Sequence, residues 1–260
     1  MSRKVINRVG EQKYNNQNLL MTIIEYRNSQ DIDVKFEDGY ISKNKKYCHF
    51  LNGKIKNHQY NDVLNVGCSG EKYQTKKNGT HTQEYILWRG MLFRCFDEKY
   101  KEKEPTYKDA ACCEEWLLYD NFYEWVHKQD NYLTLINNNI KFGLDKDIMV
   151  KGNKLYSPET CFLVPNNVNA LFTKNDAKRS NLPIGVYLGR RAIHYSSRCS
   201  NPYGDRIIHH GFNTPEEAFY QYKKDKEMII KEVANKEYSI RAITKECYDA
   251  MYRYNVEITD

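Results

Sequence analysis

Apolar residues along the chain keep two different periods, and the places where the period changes divide it. An apolar run from Leu19 to Ile24 is followed by Ile32, Val34 and Phe36 alternating with Asp33, Lys35 and Glu37, up to the dipeptide Asp38-Gly39. A period of two closed by a turn dipeptide predicts paired strands, as in a small antiparallel barrel or hairpin. From Asn61 to His81 the period is lost and Gly, Asn, Lys and Thr dominate, as in VGCSG and KKNG, which predicts a basic loop or linker. The spacing then turns helical. Trp88, Met91, Leu92 and Cys95 fall on one stripe and, after a break at Pro105, Trp116, Tyr119, Tyr123 and Val126 on another. Aromatic stripes of this kind predict packing faces.

Beyond Gly143, two strand-like pieces flank Gly152-Asn153, Ser157-Pro158-Glu159 opens a turn, and Asn166 to Phe172 suits a short helix, so the expected order is hairpin then helix. Three further strands are expected at Pro183 to Tyr187, Arg190 to Tyr195 and Ile207 to Phe212. Thr214 as cap, Pro215 at the first helical position and Glu217 three after the cap then predict a helix to about Ala234, with Phe219, Tyr222, Ile229, Ile230 and Val233 on its packing face. Tyr238, Ile240, Ile243, Cys247, Met251 and Tyr254 predict an amphipathic helix in the tail. The expected class is α+β and modular: a small β-rich module and basic linker over 1–80, a helical and ββα region over 81–177, and a three-stranded sheet plus helix over 178–260.

Composition changes this picture little. At 260 residues, with 40% hydrophobic and 28% charged residues, the chain has enough apolar surface for packed modules and no bias toward disorder. A net charge of +6 suits a polyanionic partner. No apolar stretch has the length a membrane helix needs and the opening residues do not read as a leader, so a cytoplasmic location without membrane contact is expected. Eight cysteines without a CxxC pair predict reduced thiols, not a zinc ribbon.

Two resemblances add chemistry. WRGMLFRCF, CCEEWLLYDNFYEWV and GLDKDIMVKGNKLYSPETCFLVPNNVNALF together resemble a phage group of HNH-type nuclease-like proteins over about Trp88 to Phe172. The resemblance implies a ββα site in which Asp145 and Asn169, or alternatively Asn167, hold one Mg²⁺ or Mn²⁺ ion against a scissile phosphate. Asp147 is a candidate second carboxylate. The position where an active enzyme of this type offers its histidine base is Lys146, and no histidine lies between His127 and His194. A protonated lysine is a poor base near neutral pH, so impaired or lost catalysis is expected, with a working metal-dependent DNA endonuclease as the alternative.

The second resemblance covers about Pro183 to Val233. The stretch from Gly185-Val186-Tyr187 through Arg191-Ala192 to GFNTPEEA resembles the AP2 or integrase-type DNA-binding domain of phage nuclease-like proteins and plant transcription factors. It implies a sheet lying in the major groove of double-stranded DNA, with Arg190, Arg191, His194 and Arg206 as base readers and Tyr187, Tyr195 and Arg198 as backbone or stacking contacts. From Lys178 to Lys226 nine Lys or Arg stand against four Asp or Glu, which favours such a partner. A host nucleic-acid-binding or defence protein is a further candidate partner for the same basic surface; the oligomeric state is left open.

Overall fold

The computed structural model describes residues 7–173, 182–189 and 193–260. The N-terminal alternation forms an antiparallel meander of β1 (Gln12–Tyr14), β2 (Leu20–Asn28), β3 (Asp31–Phe36) and β4 (Ile41–Lys45), each strand paired with the next. Met21, Ile23, Ile32, Val34 and Phe36 cluster with Phe50 of α1 (Tyr47–Leu51) and with Ile55. Asp33 is also buried, and Arg27 explains it: the guanidinium lies 2.6 Å from the carboxylate, which also accepts the Asn44 N–H at 2.9 Å.

The stretch expected as a linker is instead folded onto the helical block. Val63 enters that block's core, and Gly67 lies so close to it that a Cβ there would come within 2.3 Å of Leu92. The Asp120 carboxylate accepts the backbone N–H groups of Glu71, Lys72 and Tyr73, each at 3.2 Å. One acid forty-odd residues away thus satisfies a whole turn, an anchorage that composition does not reveal. Only β5 (Lys76–Lys77) and β6 (Thr80–His81) form a projecting hairpin, around Asn78-Gly79 with φ of 52° and 80°.

Helices α2 (Gln83–Phe96), α3 (Glu98–Lys103), α4 (Tyr119–Lys128) and α5 (Tyr132–Asn137) follow. Trp88, Met91, Leu92 and Cys95 bury one face of α2, and the Trp88 indole N–H donates to the Trp116 carbonyl at 2.7 Å. On α4 the fully buried positions are Tyr119, Phe122 and Val126, with Tyr123 at the edge of the stripe.

Strand β7 (Ala111–Cys112) pairs in parallel with β9 (Leu155–Tyr156), and β8 (Phe142–Asp145) pairs antiparallel with β10 (Phe162–Pro165), which runs into α6 (Asn166–Phe172). The order of the ββα element is as expected, but its hairpin is not closed at Gly152-Asn153. Asp145 bonds the N–H groups of residues 147 and 148 and ends β8, and the Asn153 side chain bonds the carbonyls of Lys146 and Leu155, so Gly152-Asn153 shapes a long loop between the paired strands.

The last unit is a sheet ordered β11 (Val186–Leu188), β12 (Tyr195–Cys199), β13 (Ile207–Phe212), backed by α7 (Pro215–Ser239). The middle strand lies further along than Arg190 to Tyr195 because Ser196, Ser197 and Cys199 supply its buried positions. Thr214 and Glu217 form the expected capping box, and α7 continues five residues past Ala234. Helix α8 (Lys245–Tyr252) packs on it through Cys247 and Met251. One apolar cluster takes Phe162, Val164, Val168 and Leu171 from the ββα element together with Cys199, Phe219, Ile229 and Val233 from the sheet and α7. The two therefore share a core across residue 177. Asn131 ties them further, its side-chain N–H₂ donating to Leu163 and Ala242 carbonyls at 2.8 Å. All eight cysteines are free thiols, most of them buried. Among the described residues no helix is long and apolar enough to cross a membrane.

Candidate nucleic-acid interface and cleft

Pairing in the C-terminal sheet decides which side chains share a face. Tyr187 lies opposite Ser196, and Ser196 opposite His210, so these three form a row across β11, β12 and β13. Residues two apart on a strand share a side, which adds Arg198 and its partner Ile208 to that face. The row is ordered by its own contacts. Ser196 Oγ is 2.9 Å from His210 Nδ1, the His210 ring stands edge-on to Tyr187 at 6.5 Å, and the Arg198 guanidinium lies 4.5 Å from the Tyr187 ring centroid. No carboxylate occupies these positions. Val186, Ser197, Cys199 and His209 take the other parity, and His209 Nε2 lies 3.1 Å from the Asp225 carboxylate on α7. The adjacent histidines thus split, one toward the helix and one outward.

The other expected DNA contacts are distributed differently. Tyr195 has the parity of Ser197, opposite Leu188, and is half-buried, so it does not share the face of Tyr187 and Arg198. His194 is exposed just before β12, its carbonyl accepting the Gly189 N–H at 2.9 Å, while exposed Arg206 precedes β13 at the opposite end of the sheet. Arg190 and Arg191 lie outside the described residues.

The ββα element brings its expected residues together. Asp145, Lys146, Asp147 and Asn169 all line one cleft of about 410 Å³, with Arg94, Tyr107, Lys151, Lys154 and Tyr156 around them. Asp145 Oδ1 accepts N–H groups from Asp147 at 2.9 Å and Ile148 at 2.8 Å, which fixes the carboxylate at the end of β8. Burial pushes this carboxyl up to about 6 despite those bonds. No cationic side chain among the described residues lies within ion-pair distance of it, because Lys146 is engaged elsewhere: its Nζ is 2.7 Å from Asp147 and 2.6 Å from the Asn153 carbonyl. Asn167, the alternative helix ligand, is tied to Tyr203 and to Glu237 and does not line the cleft.

A buried carboxylate without a cation beside it, facing the same cleft as an amide, fits a divalent ion that completes its shell with water and phosphate oxygen. Asp145 and Asn169 are the residues that would hold it. Among the described residues no group of three or more His, Cys, Asp or Glu side chains could hold a metal by itself. Asp145→Asn replaces the carboxylate oxygen that accepts the two N–H groups with an amide oxygen that can do the same, and removes the buried charge. Since the folded carboxyl is raised, its ionisation opposes folding, and the penalty grows as pH rises from about 4 toward 6. The variant is expected to be more stable than the parent by up to about 3 kcal/mol at pH 7.5 in EDTA and equal at pH 4, read by denaturant unfolding at each pH.

Arg94, Tyr107 and Tyr156 carry no signal in the hydrophobic pattern, yet they form one wall of the cleft, the Arg94 guanidinium lying 5.7 and 5.2 Å from the two tyrosine rings. The available hint is Arg94 itself, a charge between buried Leu92 and Cys95 on a packing helix. Comparison with protein-family models, with curated proteins and with solved structures finds no match to this chain.

Proposed function

We propose that the chain is a sequence-preferring double-stranded-DNA-binding protein of phage type, related to HNH and AP2 homing endonucleases, whose nuclease cleft has lost its general base. The observation that supports it best is the acid-free face carrying Tyr187, Arg198 and His210, with buried Ser196 between them. A two-sided pattern of this kind lets the strands enter a major groove while α7 holds them from behind. Among the described residues no carboxylate pairs with the Arg198 guanidinium, which can meet a guanine edge or a phosphate, and its stacking on Tyr187 limits the rotamers it must give up on binding. Exposed His210 offers a ring nitrogen beside it, and buried Ser196 holds that ring in place.

In the cleft, Arg94, Lys151 and Lys154 would receive the phosphate backbone. A divalent ion held by Asp145 and Asn169 would supply Lewis-acid polarisation of a phosphoryl oxygen. No histidine is among the residues lining the cleft, and Lys146 stands in the base position with its ammonium bonded to a carboxylate and a carbonyl. An active endonuclease is the second reading, favoured by the common placement of Asp145, Asp147 and Asn169.

The test is duplex affinity against salt. Arg198→Ala combined with Tyr187→Ala is expected to weaken binding by ~10- to 100-fold and to make the plot of log affinity against log salt shallower by about one unit if Arg198 meets phosphate. Unchanged affinity and slope would remove the sheet face from the account.

A further inference from the structure

A second groove runs along α2 next to the cleft. It measures about 310 Å³, and among its lining residues are His81, Tyr85, Arg89, Phe93, Arg94 and Tyr100, with no acid. Arg94 lines both groove and cleft, so the two adjoin at this side chain. Rings and cations alternate along the path. His81 stacks on Tyr85 at 4.7 Å, the Arg89 guanidinium lies 4.9 Å from the Phe93 ring, and Tyr100 stands 6.0 Å from Tyr107, itself beside Arg94. Neither Arg89 nor Arg94 has a carboxylate within ion-pair distance among the described residues, and Arg94 Nε is buried with no hydrogen-bond partner.

Aromatic faces interleaved with unpaired guanidinium groups select for a particular polyanion. Bases within a duplex are stacked on one another and expose only their edges, so they have no face to lay on Phe93 or Tyr100. An unpaired strand offers both base faces and phosphates, and matches rings and cations at the same time. An acidic peptide would satisfy only the arginines.

We propose that the α2 groove binds an unpaired DNA strand leading out of the cleft, so that the protein prefers a duplex with a single-stranded tail over a blunt one. The inference rests on reading the chain as a DNA-binding protein, and the test separates the two. Fluorescence anisotropy of the full chain is measured in EDTA with a labelled blunt duplex and with the same duplex carrying a ten-nucleotide single-stranded tail.

The tail is expected to raise affinity by about tenfold or more. Arg89→Glu, an exposed change that leaves the apolar core intact, should abolish the gain while blunt-duplex binding persists, and Phe93→Ala should reduce it. Tyr187→Ala with Arg198→Ala should weaken blunt and tailed duplexes alike. Equal binding of blunt and tailed duplexes, or a gain that survives Arg89→Glu, overturns the groove assignment and leaves the duplex reading standing. Competition by polyglutamate as effective as that of the single-stranded tail also overturns it. Binding of neither DNA overturns both.

Discussion

Gly185→Ala is expected to destabilise the C-terminal sheet by about 3 kcal/mol or more and to carry duplex affinity down with it. Gly185 has a φ of +75°, which a residue with a side chain adopts only under strain. A Cβ there would also lie 2.1 Å from the Tyr222 ring of α7. Neither atom can yield easily. The Gly185 carbonyl accepts the Arg198 N–H at 2.8 Å, which ties the turn to the middle strand, and Tyr222 is buried in the core shared with the ββα element. Part of the cost is steric and part conformational, so a double-mutant cycle with Tyr222→Leu should recover the steric part and leave about 1 kcal/mol. Denaturant unfolding of the four proteins reads both parts; a full penalty in the Tyr222→Leu background would show that the ring is not the obstacle.

Lys146→His is expected to gain metal-dependent nicking of duplex DNA, on the order of 100-fold above the parent protein. The parent has a fixed carboxylate at Asp145, an amide at Asn169 and the cations Arg94, Lys151 and Lys154 in one cleft, and the ammonium of Lys146 among them. An imidazole at that position is a base near neutral pH. The change also frees Asp147 from its 2.7 Å ion pair. The gain should require Mg²⁺ or Mn²⁺ and disappear in the Lys146→His, Asp145→Ala double variant. Supercoiled plasmid relaxation reads it directly. Equal nicking by parent and variant would mean that the parent never lacked a base, and would favour the endonuclease reading.

Some of this structure is written locally in the sequence and some is not. The capping box at Thr214 and Glu217, the stripe of α2 and the alternation in β3 are short-range patterns, and each forms where its spacing puts it. The closure of the ββα hairpin is not short-range. Asn153 and Gly152 have turn chemistry, but pairing of β8 with β10 is decided by Leu144, Leu163 and Val164 entering cores that lie far apart in sequence. The anchoring of residues 71–73 on Asp120 is hidden for the same reason, since polar side chains near turns look alike until a partner is known.

The site was legible in part. The cleft gathers Asp145, Lys146, Asp147 and Asn169, residues spread over one strand, the loop after it and a helix, whereas Asn167 on the same helix lies outside the cleft, tied to Glu237. On the sheet, β12 begins five residues later than the expected Arg190, and its pairing of Ser196 with Tyr187 puts Tyr195 on the other parity. Parity in a strand turns on a single residue, and sequence alone rarely fixes it.

Selection from a fragmented genomic DNA library by the purified protein, in EDTA and in Mg²⁺ or Mn²⁺, with sequencing of retained fragments and of newly formed ends, separates a sequence-preferring duplex binder from a nuclease. The expected result is retained fragments sharing a short motif, retention weakened by Tyr187→Ala with Arg198→Ala, and no new ends with metal. Retention without a shared motif, or none at all, would contradict it, and recurring metal-dependent ends would replace the binding protein with a nuclease.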